Sequence, residues 1–190
     1  RNASEIKFKG NKELIEIIGQ AIDDEYIKEL TTISLSPEAI SRHKDMKIVY
    51  TPIHGTGVKL VPAALKAYGF TNIIHVPEQD VVSGDFPTVI SPNPEEPAAL
   101  AMAVEKAKET DAELVMASDP DADRVGAAVK NNEGEWVLLN GNQTALMFVY
   151  YLITRWKELG KINGKEYIVK TIVTTETIKT IAERNGVEMY

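Results

Sequence analysis

The chain has 190 residues, 44% hydrophobic and 26% charged, with a formal net charge of −7; that length holds one generous domain, or one domain and part of another. The acidic balance argues against a nucleic-acid-coating surface, which needs clustered Lys and Arg, and no apolar run approaches the roughly 20 residues of a membrane span. There is no cysteine, so disulfides, thiolate zinc sites and thiol nucleophiles are excluded, and a reducing, cytoplasmic setting is expected.

The N-terminus lacks a signal-peptide pattern. The glycosylation-type strings NAS (2–4) and NQT (142–144) therefore have no secretory context and are treated as chance. The chain opens on Arg1 and closes on the apolar-rich GVEMY, which reads as an excerpt of something longer.

In chain order, apolar residues at Leu14, Ile17, Ile18, Ala21 and Ile22 recur at helical spacing, predicting a helix over residues 11–30. A short helix should follow Ser36-Pro37, with serine as N-cap and proline in the first turn. From Lys47 the type alternates: strand KIVYTP (47–52), the turn HGTG, a helix over 58–70 and strand NIIHV (72–76). Next come a loop, a helix over 94–110 and strand AELVMAS (112–118). RVGAAVK (124–130) and EWVLL (135–139) suggest a hairpin around NNEG, before a long helix at about 142–159. LGKINGK (159–165) is the linker candidate, and beyond it lie a strand YIVKTIV (167–173), a helix and the start of another strand.

This alternation predicts an α/β fold: a mixed, mainly parallel sheet sandwiched by helices, followed by a truncated second α/β unit. The expected divisions are a helical connecting segment (1–45), a metal-binding α/β domain (46–160) and the start of a truncated sugar-binding domain (166–190).

The chemistry concentrates in ASDPDADRVG, residues 117–126. Carboxylates about 5 Å apart repel by roughly 3 kcal/mol at an effective dielectric near 20, so something positive is expected among Asp119, Asp121 and Asp123. The loop leaves the C-terminal end of a strand, where open α/β sheets place their ligands. Extended backbone would project the three aspartates to one side. Converging carboxylate oxygens suit Mg²⁺, and a divalent ion with Arg124 balances three negative charges.

Alternatives are a solvated acidic turn, a calcium loop, and a phosphatase with an aspartate nucleophile. The calcium loop fails, because its sixth and twelfth positions want glycine and glutamate and here hold Arg124 and Lys130. The phosphatase stays as runner-up without a recognisable general base.

DPDADR (119–124) resembles the metal-binding loop of the α-D-phosphohexomutases, the family that includes phosphoglucomutase and phosphomannomutase. TPIHGTG (51–57), GDFPTVISPNPEE (84–96), GNQTALM (141–147) and KTIVTTETIKTIAERNGVE (170–188) agree in order, so the likeness covers roughly residues 45–190. The resemblance implies that Asp119, Asp121 and Asp123 bind Mg²⁺ and that Arg124 contacts the phosphate or sugar of a hexose phosphate. It also implies phosphoryl transfer from a phosphoserine through a hexose bisphosphate, with the remaining domains of a parent chain as partners.

No Ala-Ser-His-Asn-Pro serine loop is present in this sequence. Ser118 does not match the nucleophile's position, so no catalytic residue is assigned and the isolated chain should be silent. A non-catalytic α/β module is the other alternative.

Elsewhere the bland readings are preferred. HGTG lacks the further residues of a P-loop or dinucleotide fingerprint and reads as a turn that packs. NPEE (93–96) reads as a capping box, with Asn93 as N-cap and Pro94 at the first helical position. Thr174, Thr175 and Glu176 should cap the last helix, and Trp136 and Trp156 should pack.

Overall fold

The computed structural model describes residues 2–190. Its centre is a five-stranded sheet in the order β2-β1-β3-β4-β5, built from β1 (Lys47–Thr51), β2 (Asn72–His75), β3 (Leu114–Ser118), β4 (Val125–Lys130) and β5 (Trp136–Leu139). β1 pairs in parallel with both β2 and β3, whereas β4 is antiparallel to β3 and to β5. Four strands therefore run one way and β4 alone runs against them. The mixed, mainly parallel sheet expected from the alternation is what forms.

Strand periodicity divides the apolar residues between two faces. Val49, Val115, Ala117 and Ala128 point toward α4 (Pro97–Thr110), where Ala99, Leu100, Ala103 and Ala107 complete a fully buried cluster. Alanines on the helix let it lie close to the sheet, so small changes in volume there are felt directly. Ile48 and Tyr50 point the other way, and the start of α3 (Gly57–Tyr68) packs on Tyr50. α1 (Gly19–Thr32) lies outside α3, held by the Tyr68 hydroxyl donating to Leu30 O at 2.8 Å and by the Lys59–Asp23 ion pair. α2 (Pro37–Arg42) starts at Pro37 as expected, although the Ser36 side chain makes no capping bond.

Several expectations are corrected. The helix predicted from residue 11 begins only at Gly19; Lys12–Leu14, within the predicted span, form a 3₁₀ turn. Leu14, Ile15, Ile17 and Ile18 are all largely exposed. Helical spacing without a surface to pack against leaves a short helix marginal.

The second helix-start also moves. α4 begins at Pro97 with Glu96 as N-cap, not at Pro94 with Asn93. The Asn93 side chain instead accepts from the Glu95 amide and donates to Glu96 Oε1, an Asx turn that precedes the helix. A true capping box lies elsewhere, at α5 (Gly141–Glu158): Asn140 accepts from the Gln143 amide and the Gln143 side chain accepts from the Asn140 amide.

Beyond α5, the strand expected over 167–173 shrinks to β6 (Tyr167–Ile168), paired in parallel with β7 (Glu188–Met189) across α6 (Thr177–Arg184). Val169, Ile172 and Val173 are exposed and belong to no strand. Glu176 occupies the N-cap of α6 without a side-chain cap; Thr175 Oγ1 accepts from the Thr177 amide.

Candidate metal and phosphate site

β3 ends at Ser118, and the next six residues form the aspartate loop between β3 and β4. The loop is a turn rather than extended chain. The Ala122 amide donates to Asp119 O at 3.0 Å, and Ala122 itself has φ 61°, in the left-handed region. The expected reason for convergence, alternation along a strand, is thus corrected: the turn brings the carboxylates together. Among the described residues, Asp119, Asp121 and Asp123 form a group whose ligand-type oxygens lie within 4.8 Å of one another.

The three are not equivalent. Asp119 is 1% exposed, whereas Asp121 and Asp123 face solvent. Asp119 Oδ1 accepts from the Arg124 amide at 2.9 Å, and Oδ2 accepts from Arg124 Nε at 2.7 Å. Burial alone would raise the Asp119 carboxyl, but these Arg124 bonds and the guanidinium charge outweigh it and hold the group below the usual carboxylate range. Asp123 shifts the other way, pushed up by the charge of Asp121 and then of Asp119. Arg124 Nε also stands 3.9 Å from Asp123, and the side chain is 57% exposed. Much of its guanidinium therefore faces out of the loop.

Beneath the loop, Tyr50 and Ser118 share a 2.8 Å hydroxyl hydrogen bond. Burial, opposed by Ser118 and reinforced by Asp80, pushes the Tyr50 phenol up to about 12. A Cβ on Gly57 would stand 2.5 Å from Tyr50 Oη and 2.7 Å from Ser118 Oγ, so glycine is what allows α3 to sit there.

Beside the aspartate loop runs the turn between β1 and α3. Ile53 (φ 47°) and His54 (φ 64°) are both left-handed, a conformation costing roughly 1–2 kcal/mol per residue for L side chains. A chain of hydrogen bonds, buried at Thr51 and Gln79 and reaching the surface at Thr88 and Val81, holds it. The Ile53 amide donates to Thr51 Oγ1, which in turn donates to Gln79 Oε1 at 2.7 Å. Gln79 Nε2 donates to Thr88 Oγ1 at 3.1 Å, and Thr88 Oγ1 stands 2.8 Å from His54 Nε2. His54 Nδ1 is 2.8 Å from Val81 O, a carbonyl that can only accept. The neutral tautomer with hydrogen on Nδ1 satisfies both contacts. HGTG is thus a packed turn, as expected. The partners Gln79, Thr88 and Val81, which the sequence reading did not single out, lie 25 or more positions away.

The donor set fits Mg²⁺. Oxygens at about 2.1 Å from Mg²⁺ stand some 3–4 Å apart, and a spread of at most 4.8 Å closes by small rotations of the two exposed side chains. The charge balance with Arg124 is already favourable.

Residues 24–134 match the phosphoglucomutase/phosphomannomutase family description, alpha/beta/alpha domain II. The chain belongs to this family. Similarity to curated proteins extends further along the chain. A probable phosphoribomutase of Schizosaccharomyces pombe is 40% identical over 144 residues, covering 75% of this chain and 24% of that protein. A phosphoglucomutase of Staphylococcus haemolyticus is 32% identical over 191 residues, covering 98% of this chain and 33% of its own. The chain thus spans a quarter to a third of the length of these relatives. In fold it is similar to a phosphoglucomutase/phosphomannomutase family protein from Burkholderia thailandensis, with TM-score 0.67 at 22% identity over 88% of this chain and 32% of that one.

Proposed function

We propose that this chain is the metal-binding portion of a sugar-phosphate mutase, which moves a phosphoryl group between the 1-position and the terminal carbon through a phosphoserine and a bisphosphorylated sugar. The observation that carries the reading is the convergence of Asp119, Asp121 and Asp123 on one turn at the C-terminal end of β3, in a chain of this family.

In this reading the three aspartates hold Mg²⁺, and Arg124 presents its exposed guanidinium to the phosphate of the substrate. Bound there, Mg²⁺ would draw charge off the phosphoserine oxygens and off the equatorial oxygens of the transition state. The chain's own part is positioning. Asp119 is fixed by two bonds from Arg124, so one ligand is preorganised while Asp121 and Asp123 close on the ion. Because Arg124 Nε is taken up by Asp119, it is the outer edge of the guanidinium that is left for an anion.

Similarity to both a phosphoribomutase and a phosphoglucomutase widens the substrate class beyond hexoses, to sugar phosphates of five or six carbons. Residues 46–160 form the metal-binding unit in this proposal. Residues 24–45 lie within the domain II match and α1 packs on α3, so they go with that unit. Residues 166–190 belong with a neighbouring domain of a longer parent chain, whose other domains supply the phosphoserine and the sugar-selecting loops. Alone, the chain is inactive. The rival phosphatase loses ground because Asp119 is buried with both oxygens engaged, which suits a fixed ligand better than a nucleophile.

The test is Mg²⁺-dependent binding of a phosphoserine peptide to the purified chain. Binding that is abolished by chelator and by Asp121→Asn supports the proposal. Release of inorganic phosphate from sugar phosphates, lost on Asp121→Asn, would replace it with the hydrolase.

A further inference from the structure

The turn after β1 touches the aspartate loop at the backbone of Pro120. The Thr56 amide donates to Pro120 O at 2.8 Å and the Thr56 hydroxyl donates to the same oxygen at 3.1 Å. Gly55 lies flat against the same residue: a Cβ there would stand 2.5 Å from Pro120 Cα and 2.7 Å from Pro120 O. Those atoms are backbone and cannot rotate away. Pro120 is flanked by Asp119 and Asp121, so any shift of its peptide moves two carboxylates at once.

What holds Gly55 and Thr56 in place is the residue before them. His54 is left-handed, 1% exposed, and bonded through both ring nitrogens and both backbone groups: its amide donates to Gln79 O at 2.9 Å and its carbonyl accepts from the Ser83 amide at 3.1 Å. Such a residue cannot drift, and neither can the two that follow it. A strained backbone kept by a full set of bonds beside a site is the pattern expected where geometry is being held for use.

We infer that His54, Gly55 and Thr56 are positioning residues: His54 anchors the turn, and Gly55 and Thr56 clasp Pro120 so that the three carboxylates stand at ligand spacing. The inference deepens the metal reading and rests on it for its purpose, though the clasp itself can be read without metal.

Two variants test it. Gly55→Ala forces Pro120 outward. Thr56→Pro removes both donors to Pro120 O, and the Thr56 φ of −73° already suits a proline ring. Thr56→Ser retains both donors and serves as the conservative control, and Gly84→Ala, where a Cβ meets nothing, controls for a glycine change.

The first readout is metal-free amide hydrogen exchange. Exchange at Ala122 and Arg124, whose amides bond to Asp119, should accelerate at least about tenfold in Thr56→Pro, with Val49 and Val115 in the core unchanged. The second is Mn²⁺ titration followed by electron paramagnetic resonance, in which Thr56→Pro and Gly55→Ala should each bind at least about tenfold more weakly while Thr56→Ser and Gly84→Ala match wild type. Equal acceleration of core and loop amides, or wild-type Mn²⁺ affinity in both variants, would overturn the clasp and leave the turn a merely structural element. If the wild-type chain takes up no Mn²⁺, the metal reading fails, and the exchange pattern alone decides the clasp.

Discussion

Asp119 and Arg124 close the aspartate loop from its two ends: Asp119 accepts the Arg124 amide and guanidinium, while the Asp119 amide donates back to Arg124 O at 3.3 Å. The relationship makes one buried carboxylate both a structural latch and the fixed ligand of the site. Asp119→Asn keeps the shape but cannot accept from both donors, which leaves at least one charge-assisted bond unmade. A loss of roughly 1–3 kcal/mol is expected in urea unfolding at neutral pH.

Acid behaviour follows with a definite sign. Because the folded-state carboxyl of Asp119 is held low, its stabilising contribution is present above the unfolded value, about 3.9. That contribution disappears as pH falls through the folded value. Unfolding curves taken from pH 5 downward should show a smaller loss of stability in Asp119→Asn than in wild type over that window. Parallel curves would contradict it.

Asp123 carries the opposite sign. Its carboxyl is raised by Asp121 and Asp119, so in the metal-free chain its charge opposes folding. Asp123→Asn should raise the melting temperature in chelator slightly, on the order of 1 °C, while weakening Mn²⁺ binding. A site that binds a cation is expected to show this opposition between stability and use. A variant that lost both together would point to a purely structural carboxylate.

Tyr50 gives an alkaline signature. Its phenol is pushed to about 12, so the burial contribution is complete below the unfolded value near 10 and is lost as pH climbs from 10 toward 12. In phenolate absorbance, Tyr50 should titrate last of the seven tyrosines or only with unfolding, and Tyr50→Phe should remove that last step. Its persistence in the variant would show that another tyrosine is responsible.

His54→Ala removes the partner of both Thr88 and Val81 O while leaving a left-handed alanine. Thr88 and Val81 are exposed and can turn to water, so the cost comes from the space left by a buried ring and from the strained alanine, and the urea midpoint should fall. Gln79→Ala, which breaks the same chain of bonds at Thr51 and Thr88, should fall similarly, and the double variant should cost less than the sum. Strict additivity would mean that the two residues act independently.

How much of this was readable from the residues depends on where each signal sits. The run of elements from Lys47 to Glu158 was foreseen because apolar runs, glycines and prolines mark it locally. Residues 11–18 and 169–173 misled because their periodic or β-branched apolar residues are exposed, and pattern predicts structure only where a surface exists to bury it. The capping site of α4 was misplaced by three residues because Pro94 and Pro97 both mark a helix start, and only the Asx turn at Asn93 separates them.

At the site, the aspartates announced themselves by crowding, but the turn that joins them did not, since nothing in an alanine at position 122 signals φ 61°. The clasp on Pro120 depends on Gly55 and Thr56, some 65 positions earlier, and on a histidine whose partners lie in a third segment. Contacts of that range leave no local trace.

The account rests most heavily on a cation between Asp119, Asp121 and Asp123. Crystals of the chain soaked in Mn²⁺ and measured for anomalous scattering test this directly. The account predicts a single strong peak enclosed by oxygens of all three carboxylates, with Asp119 still bonded to Arg124. No peak there, with Asp121 and Asp123 turned apart into solvent at saturating Mn²⁺, would contradict it.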